Sequence, residues 1–537
     1  MQAATEVDFV VVGAGSAGSA IAARLSETGR HSVALLEAGP SDRSFWIHLP
    51  IGYGKTMWDP RVNWRFYTEP DPHMDNRRLY WPRGRVLGGS SSINGLIAIR
   101  GQAEDYDGWR ALGNPGWGSN DLLPYFIKLE TNHGLENDQQ LHGTSGPLHV
   151  TSITGRHELI EAVIGAANAL GVPYTEDFNG RSQEGVGYYQ LTTNRGWRVS
   201  AAKAYLKPAK RRANLTILTE AQATRLLFTD RRAGGVEYRH DGISKTIRAR
   251  RGVVLSAGAV QSPQLLMLSG IGRADHLRTH GIDVRADSPG VGGNLQDHLQ
   301  LRLIYRANRP ITTNDQLRSL AGRVRMALDW LLFTQGPLAI GINQAGLFTR
   351  VLPESRTPDI QFHIATLSAD MAGGKVHDFP GFTLSVCQLR PESTGTITLA
   401  SSDPLAAPLI QANYLSSHTD RRCAVAAITF ARRLARTQPL AGYVAQEELP
   451  GPAAESDDDL LGFARAHGAT IFHPVGTCKM GPDSDPQAVV DARLRVRGVE
   501  RLWVADCSIM PKLVSGNTNL PAIMIGEKAA DLIQEDA

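Results

Sequence analysis

The chain is poor in cysteine. It has four in 537 residues (Cys387, Cys423, Cys478 and Cys507), and no CxxC pair among them. Thiols so few and so far apart exclude a disulfide-stapled scaffold and give no zinc-site spacing. Neither sign of charge is in excess: 56 Lys and Arg stand against 53 Asp and Glu, a net +3. That is too little, taken over the whole chain, to argue for nucleic acid or an anionic membrane as partner. No stretch of ~18 apolar residues occurs, so no transmembrane helix is expected. The start, MQAATEVDFVVVGAG, lacks a basic region followed by an apolar run and a cleavage site, so no signal peptide is expected. HExxH is absent, no Cys/His cluster suggests a catalytic metal, and Gly88–Asn94 lacks the second glycine of a GxSxG elbow. These absences lead us to expect a reduced, cytoplasmic, globular protein without a metal. Hydrophobic residues at 42% and charged residues at 20% fit a folded chain, and the length predicts two to four domains.

What is present begins at once. Asp8–Val12 is a short apolar run with the pattern of a buried parallel strand. Gly13-Ala14-Gly15-Ser16-Ala17-Gly18 follows, then small apolar residues at helical spacing from Ser19 to Leu25. A second strand runs from His31 to Leu36 and is closed by Glu37. A GxGxxG between a strand and a helix, with an acid nineteen residues after Gly18, is a dinucleotide-binding fingerprint. Gly13 would make the tight turn, Gly15 would let the backbone approach a pyrophosphate, and Gly18 would let helix and strand pack. The helix N-terminus would offer N–H groups and a positive dipole end to the phosphates, and Glu37 would accept from the adenosine ribose. The fingerprint alone does not separate FAD from NAD.

Further on, residues 213–228 and 235–256 alternate like antiparallel strands, and Val253–Ser256 reads as another buried strand. Strands are also expected at Gln300–Tyr305, Asp359–Ile364, Thr383–Leu389 and Gly395–Leu399. Helices are expected at Gln316–Phe333, Arg421–Arg436 and Asn519–Ile533. No repeat or flexible linker stands out, so domains should interleave. A second glycine-rich box, Trp81-Pro82-Arg83-Gly84-Arg85-Val86-Leu87-Gly88-Gly89-Ser90-Ser91-Ser92-Ile93-Asn94, suits a backbone lying tight against a flat ligand.

With that box and four others in order, the chain resembles the glucose–methanol–choline (GMC) family of FAD-dependent oxidoreductases. The others are Gly258–Gly272, His473-Pro474-Val475-Gly476-Thr477, Val504-Ala505-Asp506 and Gly516-Asn517-Thr518-Asn519, and the likeness runs from about residue 7 to 535. The resemblance implies an α/β fold: a Rossmann-like FAD-binding domain (residues 1–150, 200–300 and 460–537) with an interleaved substrate domain (151–199 and 301–459) built on an antiparallel sheet with helices on one face. It implies FAD as cofactor. Gly13, Gly15, Ser16, Ala17, Gly18, Glu37 and Ala38 would hold its ADP half. Trp64, Arg85, Gly88, Gly89, Ser90, Asn94 and Gly95 would line the pyrophosphate and flavin. Ala223 would meet the adenine, and Ala257, Gly258, Asp506, Asn517 and Thr518 would complete the cradle. Ile93 stands where relatives with covalently tied flavin carry histidine, so the FAD is expected to be dissociable.

Oxidising an alcohol by hydride transfer leaves a hydroxyl proton to remove, and histidine is the usual base. Motif position singles out His473 among sixteen histidines as that base. It matches Asn517 to the second catalytic position, where an amide can hydrogen-bond the alcohol oxygen. His467 and His298 are expected to be structural. Relatives acting on choline carry glutamate where Gln344 stands, and a trimethylammonium group wants a carboxylate and aromatic faces, so a neutral primary alcohol is favoured over choline. Alternatives within the family are an oxidase passing electrons to O2 (aryl-alcohol or hydroxymethylfurfural type), a choline- or sorbose-type dehydrogenase, and a FAD-containing hydroxynitrile lyase. The electron acceptor (quinone, dye-like carrier or O2), the oligomeric state and peripheral contact with an inner membrane are left open.

Overall fold

The computed structural model describes residues 6–371 and 373–536. Two seven-stranded sheets organise it, each drawing strands from distant parts of the chain. In the first, Glu6–Val12 lies between Val33–Leu36 and Ile243–Leu255, parallel to both. Phe9, Val10 and Val11 are fully buried, as expected of a parallel strand covered on both faces. Leu215–Leu218 extends the sheet in parallel beyond Val33–Leu36, which corrects the antiparallel reading of its segment. The thirteen-residue strand Ile243–Leu255 belongs to two systems. Its first half pairs antiparallel with Arg232–His240, which pairs in turn with Ala221–Thr229. Its second half joins the parallel core and receives Leu502–Val504 on its other side.

Helix Ser16–Leu25 crosses over between the first two strands, burying Ala17, Ala20, Ile21 and Leu25. Against it lies helix Asn519–Asp536, so both ends of the chain share one layer. The contact is sealed by Glu527, which pairs with Arg24 at 2.8 Å and accepts from the Tyr205 hydroxyl at 2.7 Å.

The second sheet runs Val444–Leu449, Leu299–Ala307, Gly381–Gln388, Ile360–Ala365, Asn343–Thr349, Gly185–Tyr188, antiparallel at every pairing. Ala469–Thr470 extends it beside Leu299 and Gln300. Helix His418–Arg436 covers one face, burying Cys423, Ala427, Ile428, Ala431 and Leu434. Side chains alternate across a strand, so Phe362 meets Phe430 of that helix at 5.9 Å, while His363 points to the opposite face. That opposite face forms the floor of a cavity. The expected helix over Gln316–Phe333 is two helices, Thr313–Arg318 and Leu320–Phe333. Ser319 is extended between them and accepts from Gly322 N–H as the second helix's N-cap. Among the described residues no helix is long and apolar enough to cross a membrane.

Candidate active site

One cavity of about 290 Å³ runs from the first βαβ turn to the second sheet. At its first end, Gly13 holds φ +97° and Gly15 caps helix Ser16–Leu25 with no side-chain hydrogen bond. The first-turn N–H groups therefore have no side-chain acceptor, the condition for anion binding at a helix N-terminus. A Cβ on Gly18 would lie 1.9 Å from the Gly13 carbonyl oxygen, so only glycine lets helix and turn approach this closely. Gly13, Gly15, Ser16 and Ala17 line the cavity; Gly18 supports the turn from behind. Glu37 and Ala38 line it as well. Glu37 accepts from Ala14 N–H at 3.0 Å and Gly39 N–H at 2.9 Å, and burial pushes its carboxyl up to about 7.

The second glycine box closes over the first. Gly89 approaches Gly15 so closely that a Cβ on it would lie 2.7 Å from the Gly15 Cα. Gly88 donates its N–H to the Ala14 carbonyl at 2.8 Å, behind the cavity wall rather than on it. Ser90, Asn94, Gly95 and Trp64 are on the wall. Arg85 is not; its guanidinium stacks over the Trp64 ring at 5.1 Å. Asn94 is fixed by Arg198, which donates to its Oδ1 at 2.7 Å and to the Ile47 and Ser91 carbonyls. Burial pulls the Arg198 guanidinium down to about 9. Ala223, Ala257, Gly258, Asp506 and Thr518 complete the wall. Asp506 is held by Gly258 N–H at 2.8 Å, Ser508 N–H at 2.8 Å and the Ser262 hydroxyl at 2.6 Å. An uncapped helix end, a close glycine pair and a fixed acid are what a dinucleotide requires, so these residues fit FAD.

At the other end His473 and Asn517 meet, with Nε2 and Nδ2 3.2 Å apart. A chain of acceptors decides which nitrogen of His473 is bare. The Leu389 carbonyl can only accept, so His298 Nε2, 3.0 Å away, carries the hydrogen. Burial drives the His298 ring down to about 4, which keeps it neutral and its Nδ1 unprotonated. His473 Nδ1, at 3.0 Å, must then donate to it. That leaves His473 Nε2 with its lone pair toward Asn517. Gln361 agrees from the other side, donating to Asn517 Oδ1 at 3.1 Å and so turning the Asn517 NH2 toward the histidine. His473 is itself pushed well below the usual histidine range by burial and by His298, His363 and Arg83. Its main-chain N–H donates to Asp297 at 2.7 Å, an acid raised to about 6 by burial. His298, expected to be only structural, thus sets the His473 tautomer.

The sheet adds residues that no motif marked. His363 is fully buried on the cavity wall, and neither ring nitrogen has a hydrogen-bond partner. Burial, with His298 and Arg302 nearby, brings it down to about 3. Arg302 also lines the cavity. It donates to Gln300 Oε1 at 3.2 Å and forms no ion pair among the described residues. His363 and Arg302 both sit opposite Ser385, on the two strands that flank it, so register brings both to the same level of the sheet. Gln344, by contrast, is not on the wall. Its amide donates to Thr366 Oγ1 at 2.8 Å, and Asn343 lines the cavity in its stead. The argument against choline drawn from Gln344 therefore does not hold at that position.

Family models for the GMC oxidoreductase N- and C-terminal parts match residues 7–300 and 391–526. The chain is 44% identical to mitochondrial choline dehydrogenase of Mus musculus over 98% of its own length and 89% of that protein's. It is 42% identical to an alcohol dehydrogenase [acceptor] of Pseudomonas putida, covering 98% and 95%. The crystal structure of pyridoxine 4-oxidase from Mesorbium loti superposes with a TM-score of 0.88 at 31% identity, over 98% of each chain. The chain belongs to the GMC oxidoreductase family. It is an FAD-binding oxidoreductase of CH–OH donors.

Proposed function

We infer that the protein oxidises a primary alcohol without positive charge to the aldehyde, with His473 as general base and Asn517 holding the alcohol oxygen. The cofactor-contact residues named above and the division into an FAD domain and an interleaved substrate domain are part of this reading. FAD, when bound, supplies the two-electron hydride acceptor at its N5. The chain's own residues do the rest. Neutral His473 has a lone pair on Nε2 and takes the hydroxyl proton there. The second N–H of the Asn517 amide can donate to the oxygen as negative charge gathers on it. His298 receives the His473 Nδ1 hydrogen bond and keeps the ring from turning. Burial of His473, His298 and His363 excludes water from the proton's path. The FAD is expected to be dissociable, because Ile93 offers no atom for a covalent tie.

The observation that carries the choice of substrate is Arg302. A guanidinium on the cavity wall with no carboxylate to neutralise it repels a trimethylammonium head. The two carboxylates on the wall, Glu37 and Asp506, are already engaged by main-chain N–H groups. Mus musculus choline dehydrogenase is the relative that favours the rival reading. A panel of primary alcohols and choline, assayed in parallel with an artificial dye and with O2, tests both. Neutral alcohols are expected to exceed choline in kcat/KM, and Arg302→Ala to narrow that gap. Choline turnover equal to the best neutral alcohol would overturn the assignment. Fast reoxidation by air would make the enzyme an oxidase, and flavin that no alcohol reduces would point to the lyase chemistry.

A further inference from the structure

Helix Leu320–Phe333 is packed inside out. Of its fourteen residues only Met326 is buried. Leu320, Ala321, Val324, Ala327, Leu328, Leu331 and Leu332 are all exposed, and their spacing is that of one continuous apolar stripe. On an ordinary surface helix such a stripe faces the core; here Leu320 is 78% exposed, Leu331 69% and Leu332 64%. Phe333 beside them is 63% exposed.

A second element continues the surface. The short helix Phe45–His48 exposes Phe45 and Trp46. The Phe45 ring lies 6.2 Å from Trp330 and 6.0 Å from Trp197, and those two tryptophans meet edge to face at 4.8 Å. Trp330 turns its ring N–H inward to the Gly196 carbonyl, so the cluster is anchored at its polar end. The Lys55 ammonium sits 3.7 Å from the Trp46 ring centre. Arg318, Arg323 and Arg325 flank the stripe, exposed, against one acid on the helix, Asp329. Exposed leucines, a tryptophan cluster and a cationic border are the composition of an interfacial helix.

We propose that this face docks the protein on a bilayer containing anionic phospholipids, with the Leu320–Phe333 stripe and Phe45–Trp46 entering the headgroup boundary and the arginines meeting phosphates. Charge favours lipid over a second copy of the chain. A two-fold contact through the same patch would bring Arg323 and Arg325 of both copies together, whereas an anionic surface neutralises them. The patch also adjoins the cavity wall. Helix Phe45–His48 is tied to that wall by Arg198, which donates both to the Ile47 carbonyl and to Asn94. An apolar alcohol or acceptor dissolved in the bilayer would therefore be held close to the site. The proposal stands independently of the alcohol reading.

The test is vesicle flotation of the FAD-loaded enzyme, with phosphatidylcholine vesicles and with phosphatidylcholine–phosphatidylglycerol vesicles, beside size-exclusion chromatography without lipid. Wild type is expected to float with the anionic vesicles and to be released by salt. The double variant Leu328→Glu/Leu331→Glu is expected to lower vesicle affinity about tenfold or more. Arg325→Glu should lower it roughly fivefold on anionic vesicles only. Flavin content and turnover with a water-soluble dye should stay as in wild type, since none of these side chains lines the cavity. Flotation no better than a lipid-free control, or equal flotation of the leucine variant, would overturn the proposal. So would a wild-type dimer that the leucine variant splits while neither protein binds vesicles.

Discussion

At the scale of single residues, the site depends on where one proton sits. Leu389, His298, His473 and Asn517 form a line of donors and acceptors with one consistent arrangement, and it ends with a bare His473 Nε2. His473→Ala, purified with full flavin content, should lose ~10²–10⁴-fold in kcat with the best alcohol. Turnover near wild type would remove His473 from the mechanism. The sign of the pH dependence follows from its environment. Burial holds the ring below the usual histidine range, so the base form predominates at every pH above 6.5. The rate should stay level on account of this group from pH 6.5 to 8 and fall only as acid protonates it, read from kcat/KM across that range. His473 and Asn517 were legible in the sequence because each sits inside a family motif. Arg302 and His363 were not, because what brings them to the candidate site is strand register, which no local pattern records; His298 joins it through its contact with His473. Gln344 lies off the cavity wall for a related reason: one residue's difference along a strand decides which face a side chain joins.

At the scale of elements, the first βαβ unit was legible almost whole, since strand, glycine turn, helix and acid are contiguous and each has its own period. Its tightest point is Gly18 against the Gly13 carbonyl. Gly18→Ala should force helix Ser16–Leu25 off the strand and cost ~1–3 kcal/mol or more, with weaker FAD retention; a thermal melt with and without added FAD measures both. An unchanged melt would mean that the helix can shift without loss. The reading of Gln316–Phe333 as one helix met two limits. Ser319 breaks it by capping the second half, and amphipathic spacing reveals a stripe without revealing which side the protein is on. Alternation at Leu215–Leu218 is the same in either direction, and only its neighbour Val33–Leu36 determines that it runs parallel.

For the whole molecule, buried titratable groups set how stability varies with pH. Below about pH 7 their effects oppose one another. His298 and His363, held down to about 4 and about 3, lose stability as pH falls. Glu37 and Asp297, raised to about 7 and about 6, lose it as pH rises. Above pH 7 His142 adds a loss of its own. His142 bridges Glu130 at 2.8 Å and Asp177 at 3.0 Å, and those hydrogen bonds raise it to about 9 against the cost of its burial. Its contribution is present in full below pH 6.5 and is lost as pH climbs through 9. Wild type should therefore lose about 2–3 kcal/mol between pH 7 and 9. His142→Gln should be less stable at pH 7 and should lose less over that interval, its remaining loss coming from the Cys387, Cys423, Cys478 and Cys507 thiols, which burial pushes up. Urea midpoints at the two pH values, for both proteins, provide the check.

The strand at Leu502–Val504 and the helix at Asn519–Asp536 close the parallel layer and clasp the first helix through Arg24 and Glu527. Asn517 and Asp506 lie between them. Segments 503 residues apart in sequence are thus joined at the Arg24–Glu527 pair, and a chain without residues 502–536 has neither the closing strand nor the amide that faces His473. A chain cut ahead of residue 502 should therefore retain no flavin and leave apolar strands of the first sheet uncovered.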